Sequence, residues 1–534
     1  MGIGNDSSKQ LFKGAAILTA AAIIVKVLSA IYRIPFQNMV GDTGFYIYQQ
    51  VYPFYGIAVV IATYGFPVGV SKLLVEEEAK KDGNVIRAVW ASFIWIMGFG
   101  CLLFLLLFLG APYIASLMRD QQLTPLIRLV AFVFLIIPIL SVARGYYQAK
   151  GNMVPTAVSQ TIEQVVRVTV ILFGSYILVQ RGFSLYSVGK GAILGSIMGS
   201  FIAALILLYY FKKREEMKRH IPKLSYSSFL SIGKILMLQG LAFCLSNMYM
   251  LLLQLTDAFQ IYPALVEQGI AFDEAKAIKG IYDRGQPLIQ VGMVAATSIS
   301  LSIVPVLASL SRNGNVEEIK NKSRLALKIS TAIGLGATIG IVSILKSTNI
   351  MLFKDDKGIE VLSILAISIM FASILITGTT ILQSLGHWRV SVIILLLSLC
   401  IKAAINSRLV LSAGVNGGAW ANLIALLCAN IAILYILRKR VTGFNFMPNQ
   451  LLVMLASAIS MFVVVSGFTL LFSTFFGEYH ESRMLSTIHA LASGVIGGFV
   501  YIYLLIKMKL FTSEELGLMP GGNVFAKWIP RGKF

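Results

Sequence analysis

Charge is what this 534-residue chain has least of. Asp, Glu, Lys and Arg make up 13% of it, against 57% hydrophobic residues, and its mean hydropathy is +0.80. Those values exclude an ordinary soluble globular domain. Acidic residues are the scarcer sign, 24 against 45 basic, for a formal net charge of +21. Cysteine is limited to Cys101, Cys244, Cys400 and Cys428, all within apolar stretches, which argues against a disulfide framework. The four histidines, His220, His387, His480 and His489, lack ligand-like spacing, so neither a metal nor a cofactor is expected. The chain has no GxxxxGK[ST] loop, so it is not expected to hydrolyse ATP itself. Long polar connections are scarce too, leaving no room for a soluble catalytic domain. The expectation is a protein that is not an enzyme.

What the chain does have is apolar runs of about 20 residues, long enough to cross a bilayer. The pattern predicts an all-α polytopic membrane protein with about 14 transmembrane helices. They fall near 12–37, 45–71, 88–116, 124–145, 154–179, 185–211, 228–256, 287–311, 325–347, 360–383, 390–410, 416–437, 449–474 and 485–507. The first is too long for a cleaved signal and carries Lys26. With the N-terminus inside, roughly 29 Lys and Arg fall in cytoplasmic segments and about 11 outside, as the positive-inside rule requires. Lys26, Arg33, Arg128, Arg167 and Lys402 remain within spans. Both termini are then cytoplasmic, and the location expected is the cytoplasmic membrane. The basic residues are spread over short loops beside an anionic leaflet, so the charge reads as topology and no nucleic acid is expected as partner.

The basic stretch KKREEMKRHIPK at 212–223 divides the first 12 spans into six and six, and markers recur across it. Pro67-Val68 with Ser71 returns 238 residues later as Pro305-Val306 with Ser309. Gln148 and Gly151 return 235 residues later as Gln383 and Gly386, and Gly191-Ala192 returns after 227 as Gly418-Ala419. The architecture expected is therefore two parallel-repeat six-helix bundles plus two C-terminal helices. The boundaries are an N-terminal lobe at 1–223, a C-terminal lobe at 224–445, two added helices at 446–510 and a cytoplasmic tail at 511–534.

The segment Arg144–Val168, RGYYQAKGNMVPTAVSQTIEQVVRV, places Gln160, Glu163, Gln164 and Arg167 along one spanning helix. Intramembrane charge is costly, which makes such a stripe a candidate site. Glu163 and Arg167 are four apart and can pair directly, in which case they merely pack the bundle. Lys402 lies 235 residues after Arg167, at its repeat-equivalent, and no carboxylate accompanies it there. Two cations facing a cavity would suit a diphosphate; alternatively Lys402 snorkels to an interface. Lys26 and Arg33 share a face of the first span. Arg284 enters the eighth span within Asp283-Arg284-Gly285-Gln286-Pro287, as another cavity cation or as a loop cation paired with Asp283. The substrate-binding candidates are therefore Lys26, Arg33, Gln160, Glu163, Gln164, Arg167, Arg284 and Lys402.

The 144–168 segment, GFPVGVSKL at 65–73 and GIYDRGQPL at 280–288 resemble the polysaccharide-biosynthesis transporters of the stage V sporulation protein B type. That group lies within the multidrug/oligosaccharidyl-lipid/polysaccharide flippase superfamily, which includes the lipid II flippases. The resemblance implies a 14-span, two-lobed, alternating-access transporter. It would move a polyprenyl-diphosphate-linked saccharide to the outer leaflet for cell-envelope synthesis. It also implies that Lys26, Arg33 and Arg284 match cavity cations of the lipid II flippases, with Lys26 replacing the more usual arginine. A coupling ion, Na+ or H+, is left open, and a monomer in the lipid bilayer is expected. Three alternatives remain. An organic-cation antiporter would want an acidic cavity. A membrane glycosyltransferase or ligase would want catalytic residues in the outer loop at about 257–286. A scaffold for wall synthesis is the third.

Overall fold

The computed structural model describes residues 17–18, 20–80, 84–212, 226–312, 315–440, 448–512 and 515. The basic linker at 213–223 and most of the tail at 511–534 lie outside the described residues, as do the side chains of Pro305 and Ser309. Every element among the described residues is helical. The N-terminal helices are α1 (residues 20–31), α2 (Arg33–Val60), α3 (Phe66–Glu78), α4 (Val85–Leu117), α5 (Thr124–Ala131) and α6 (Val133–Ala149). Next come α7 (Val154–Gln180), α8 (Leu185–Lys212), α9 (Tyr226–Ile235), α10 (Leu241–Glu267) and α11 (Phe272–Asp283). Then follow α12 (Gly285–Arg312), α13 (Val316–Ser343), α14 (Leu345–Phe353) and α15 (Ile359–Ser384). The chain ends with α16 (Trp388–Ala413), α17 (Val415–Arg440), α18 (Pro448–Phe476) and α19 (Arg483–Lys507).

Eleven helical stretches among the described residues are long and apolar enough to cross a membrane. The expected count of 14 is not reached by that criterion. The first stretch, Ala20–Glu78, is 59 residues long, about 88 Å if straight and far more than one crossing needs. Gly41 breaks it, with φ 68° and ψ −174°, a backbone region open almost only to glycine. Two further helices, α10 and α12, stand where spans were expected at 228–256 and 287–311. The expected outer loop at 257–286 is mostly helix, because α10 continues to Glu267 and α11 follows. Asp257 therefore lies within a helix.

The chain packs as two compact units. One comprises Met1–Asp283 with Leu399–Gly418, the other Arg284–Ser398 with Ala419–Phe534. Within the first unit the reason is visible at two π-helical turns, Ile61–Gly65 and Leu236–Gly240. A Cβ on Gly65 would stand 1.8 Å from the Cys244 sulfur and 3.2 Å from the Gly240 carbonyl. Glycine at both turns thus lets α9–α10 close on α2–α3 more tightly than any side chain would allow. The same economy joins α7 to α8, where a Cβ on Gly199 would stand 2.6 Å from the Glu163 carbonyl. The small-residue ridge of the sixth span is thereby the device that presses α8 onto the polar stripe of α7.

In the second unit the two added helices α18 and α19 pack on α13. Leu335, Met454, Ala458, Met461 and Val465 form the buried seam, and the Tyr501 hydroxyl donates to the Ala332 carbonyl at 2.7 Å.

Nothing lies within 4 Å of a Cβ built on Gly41, so Gly41→Ala tests the backbone requirement alone. It should cost about 1–3 kcal/mol, read as a lowered melting temperature of the purified protein in detergent, whereas Gly174→Ala, in open space within α7, should not lower it.

Candidate functional site

Three buried cations of the first unit, all in or beside spanning helices, are satisfied in two different ways. Arg144, near the end of α6, is fully buried, and its Nη2 donates to Glu163 at 2.7 Å. Its Nη1 donates to the Ala62 carbonyl at 3.2 Å and the Thr63 hydroxyl at 3.1 Å, and its Nε donates to Ser159 at 3.3 Å. Arg144 thus stitches α6 and α7 to the π turn at 61–65, capping a carbonyl within that irregular stretch. Glu163 also accepts from the Ser200 hydroxyl of α8 at 2.8 Å. The expected pairing of Glu163 with Arg167 is therefore corrected. Helix spacing permits that pair, but the carboxylate faces α6, where Arg144 offers a guanidinium and Ser200 fills the second oxygen.

Arg167 turns the other way. Its Nη2 donates to Ser29 of α1 at 3.2 Å, and its guanidinium lies 5.2 Å from the ring centre of Tyr32 and 5.0 Å from that of Tyr55. Arg33, fully buried, lies 4.3 Å from the Tyr52 ring centre. Among the described residues none of its three guanidinium nitrogens has a hydrogen-bond partner. The rings form a chain: Tyr32 and Tyr48 share a hydroxyl–hydroxyl bond of 2.7 Å, and Tyr48, Tyr52 and Tyr55 follow at centre distances of 5.8 and 6.3 Å. Neither Arg33 nor Arg167 forms an ion pair among the described residues.

Magnitudes say what that arrangement favours. A desolvated cation–π contact is worth about 2 kcal/mol, while an ion buried without a counter-ion costs several kcal/mol. Tyrosine rings draw the cations in without neutralising them. The pair consequently keeps its net positive charge among the described residues.

The remaining candidates are distributed differently. Gln160 and Gln164 are buried beside this stripe, and the Gln164 amide nitrogen has no partner. Lys26 is half-buried on α1, one turn before Ser29. Lys402 does not stand as a bare counterpart to Arg167. It is fully buried, and its ammonium donates to Asp257 at 2.8 Å and to the Leu253 carbonyl at 2.9 Å, both on α10. The repeat offset located the cation but not its carboxylate, which comes from a helix outside the repeat comparison. Arg284 belongs to the second unit. It forms a two-pronged ion pair with Asp355, one arm at 2.9 Å, over the Phe353 ring at 5.1 Å. Asp283, expected as its alternative partner, is bound instead to Lys279. Burial pushes the Asp355 carboxyl up, but the Arg284 guanidinium outweighs it and holds the group below the usual carboxylate range.

The sequence reading passed over Arg144, the four tyrosines and Asp355. A signal for the tyrosines was present, since Tyr48, Tyr52 and Tyr55 recur at helical spacing on one face. The second unit adds a pocket of about 400 Å³ between α12, α13, α18 and α19, lined by Gly292, Ala337, Met461, Val465 and Gly497 among others. No charged residue lines it.

Residues 11–311 match the family described as "Polysaccharide biosynthesis protein". An uncharacterized membrane protein of Bacillus subtilis (strain 168), YabM, is 38% identical over 522 residues, covering 98% of this chain and 97% of its own. The lipid II flippase MurJ of the same organism is 25% identical over 525 residues, 93% of this chain and 95% of its own. A solved lipid II flippase MurJ in an inward closed conformation superposes with a TM-score of 0.65 at 13% identity, over 92% of this chain and 100% of that one. The chain is a multi-pass membrane protein that belongs to the polysaccharide biosynthesis protein family, within the flippase superfamily of the stage V sporulation protein B and lipid II flippase type.

Proposed function

We propose that this protein is an alternating-access flippase for a polyprenyl-diphosphate-linked saccharide, moving it to the outer leaflet of the cytoplasmic membrane for cell-envelope synthesis. The observation that carries this reading is the pair Arg33 and Arg167, buried among tyrosines with no carboxylate bound to either among the described residues. A diphosphate supplies the missing negative charge and several strong acceptors. The similarity to the lipid II flippase MurJ of Bacillus subtilis supports the same substrate chemistry. The distribution of basic residues supports both termini inside. An inside-negative potential then favours outward anion movement by about 2.3 kcal/mol per charge per 100 mV. Against organic-cation export, the aromatic rings that would hold a cation are occupied by the chain's own guanidiniums.

Flipping of lipid II by the purified protein in proteoliposomes tests the reading. Each of Arg33→Ala and Arg167→Ala should lower the rate about 10- to 100-fold, the loss of one charge-assisted contact of about 1.5–3 kcal/mol. Wild-type rates in the double variant, or no flipping of any polyprenyl-diphosphate saccharide by folded wild type, would overturn it.

Arg144 and Glu163 should behave differently, as a stability pair. Glu163→Ala leaves a buried guanidinium unpaired and should destabilise by about 3–5 kcal/mol, seen as a lowered melting temperature. Replacing both, Arg144→Met with Glu163→Leu, should recover most of that loss.

A further inference from the structure

A second group of buried charges lies in the first unit, on α10, α11 and α16. Lys279, Tyr282 and Asp283 of α11 are all buried. The helix is pressed on α2 so closely that a Cβ on Gly280 would stand 2.1 Å from the Asp42 carbonyl. One oxygen of Asp283 accepts from Lys279 at 2.5 Å, and the other is buried with no partner among the described residues. Asp257 accepts from Lys402 at 2.8 Å and from the Tyr282 hydroxyl at 3.0 Å, and its second oxygen is likewise unpartnered. Two carboxylates and two ammoniums balance. The charge left over is Arg33, which also acts on Asp283.

We propose that Asp283 is a proton-binding site linked to the anion site at Arg33, so that anion binding there and proton uptake at Asp283 favour each other. The inference rests on the flippase reading only for the identity of the anion.

Lys279, Asp257 and Arg33 set the charge on Asp283; Tyr282 on its own helix, Lys402 beside Asp257, and Asp42 on α2 are the further titratable groups of the elements packed there. Burial pushes the Asp283 carboxyl up to about 6, with Lys279 and Arg33 acting to keep it ionised. At neutral pH it is therefore mostly ionised and within reach of protonation. An anion on Arg33 cancels part of the positive field that holds Asp283 ionised and adds repulsion of its own. The proton's affinity for Asp283 then rises, and by reciprocity lower pH tightens the anion.

The same shift gives stability a sign. A carboxyl with a raised folded value favours the folded protein when protonated. That contribution is present in full below the ordinary carboxylate range and is lost as pH rises through about 6.

The test is infrared difference spectroscopy of the full chain in lipid membranes, following the protonated-carboxyl stretch during a pH titration, with inorganic pyrophosphate as the anion probe. Wild type should show a band with a midpoint near 6, absent in Asp283→Asn and unaffected by sodium. Pyrophosphate should move the midpoint upward in wild type. Arg33→Gln should raise the midpoint without pyrophosphate and abolish the response to it. A band that persists in Asp283→Asn, or a wild-type midpoint that pyrophosphate leaves unmoved, overturns the proposal. Should Asp283→Asn fail to fold, the wild-type and Arg33→Gln midpoints decide alone. The spectra need no flipping, so a protein that binds pyrophosphate and protons in this linked way but moves no lipid would overturn the function and leave this inference standing.

Discussion

A guanidinium held away from water in a membrane protein must find negative charge or pay several kcal/mol for its absence, and that constraint organises the first unit. Arg144 meets it with a carboxylate: Glu163 binds it, Ser200 binds Glu163, and Ala62, Thr63 and Ser159 take its other donors. The result ties four helical segments into one polar knot. Lys402 meets it with Asp257 and the Leu253 carbonyl. Arg33 meets it with the Tyr52 ring, and Arg167 with the rings of Tyr32 and Tyr55 and the Ser29 hydroxyl.

That difference separates structure from function. A carboxylate partner ends a cation's electrostatic reach, whereas a tyrosine ring attracts the cation and leaves its charge in place. Arg144 and Arg167 lie on adjoining helices and are comparably buried, yet among the described residues only the first is paired with a carboxylate. The glycines supply the geometry. Gly199 brings α8 against the backbone of Glu163, which sets Ser200 on the carboxylate and leaves Arg167 to face α1 and α2.

Much of this was readable along the chain. Hydropathy marked the membrane helices, and the stripe Gln160–Arg167 marked a polar region that the structure buries. The partners were not readable. Spacing of four residues suggested that Glu163 binds Arg167, but Arg144, 19 residues earlier, is the group that reaches it. A repeat offset of 235 suggested Lys402 as a bare cation, but Asp257, 145 residues before it, neutralises it. Asp257 falls at the start of the expected outer loop because the apolar run ends before it, yet α10 continues through Pro263 to Glu267.

Hydropathy, charge balance and helix periodicity are properties of neighbouring residues, so the sequence by itself determined an all-helical membrane protein, its surplus of cations and its family resemblance. Which cations are cancelled was decided only by the tertiary structure. An ion pair requires atoms within about 4 Å, and that proximity comes from helices distant in sequence, brought together by glycine contacts that no local pattern specifies.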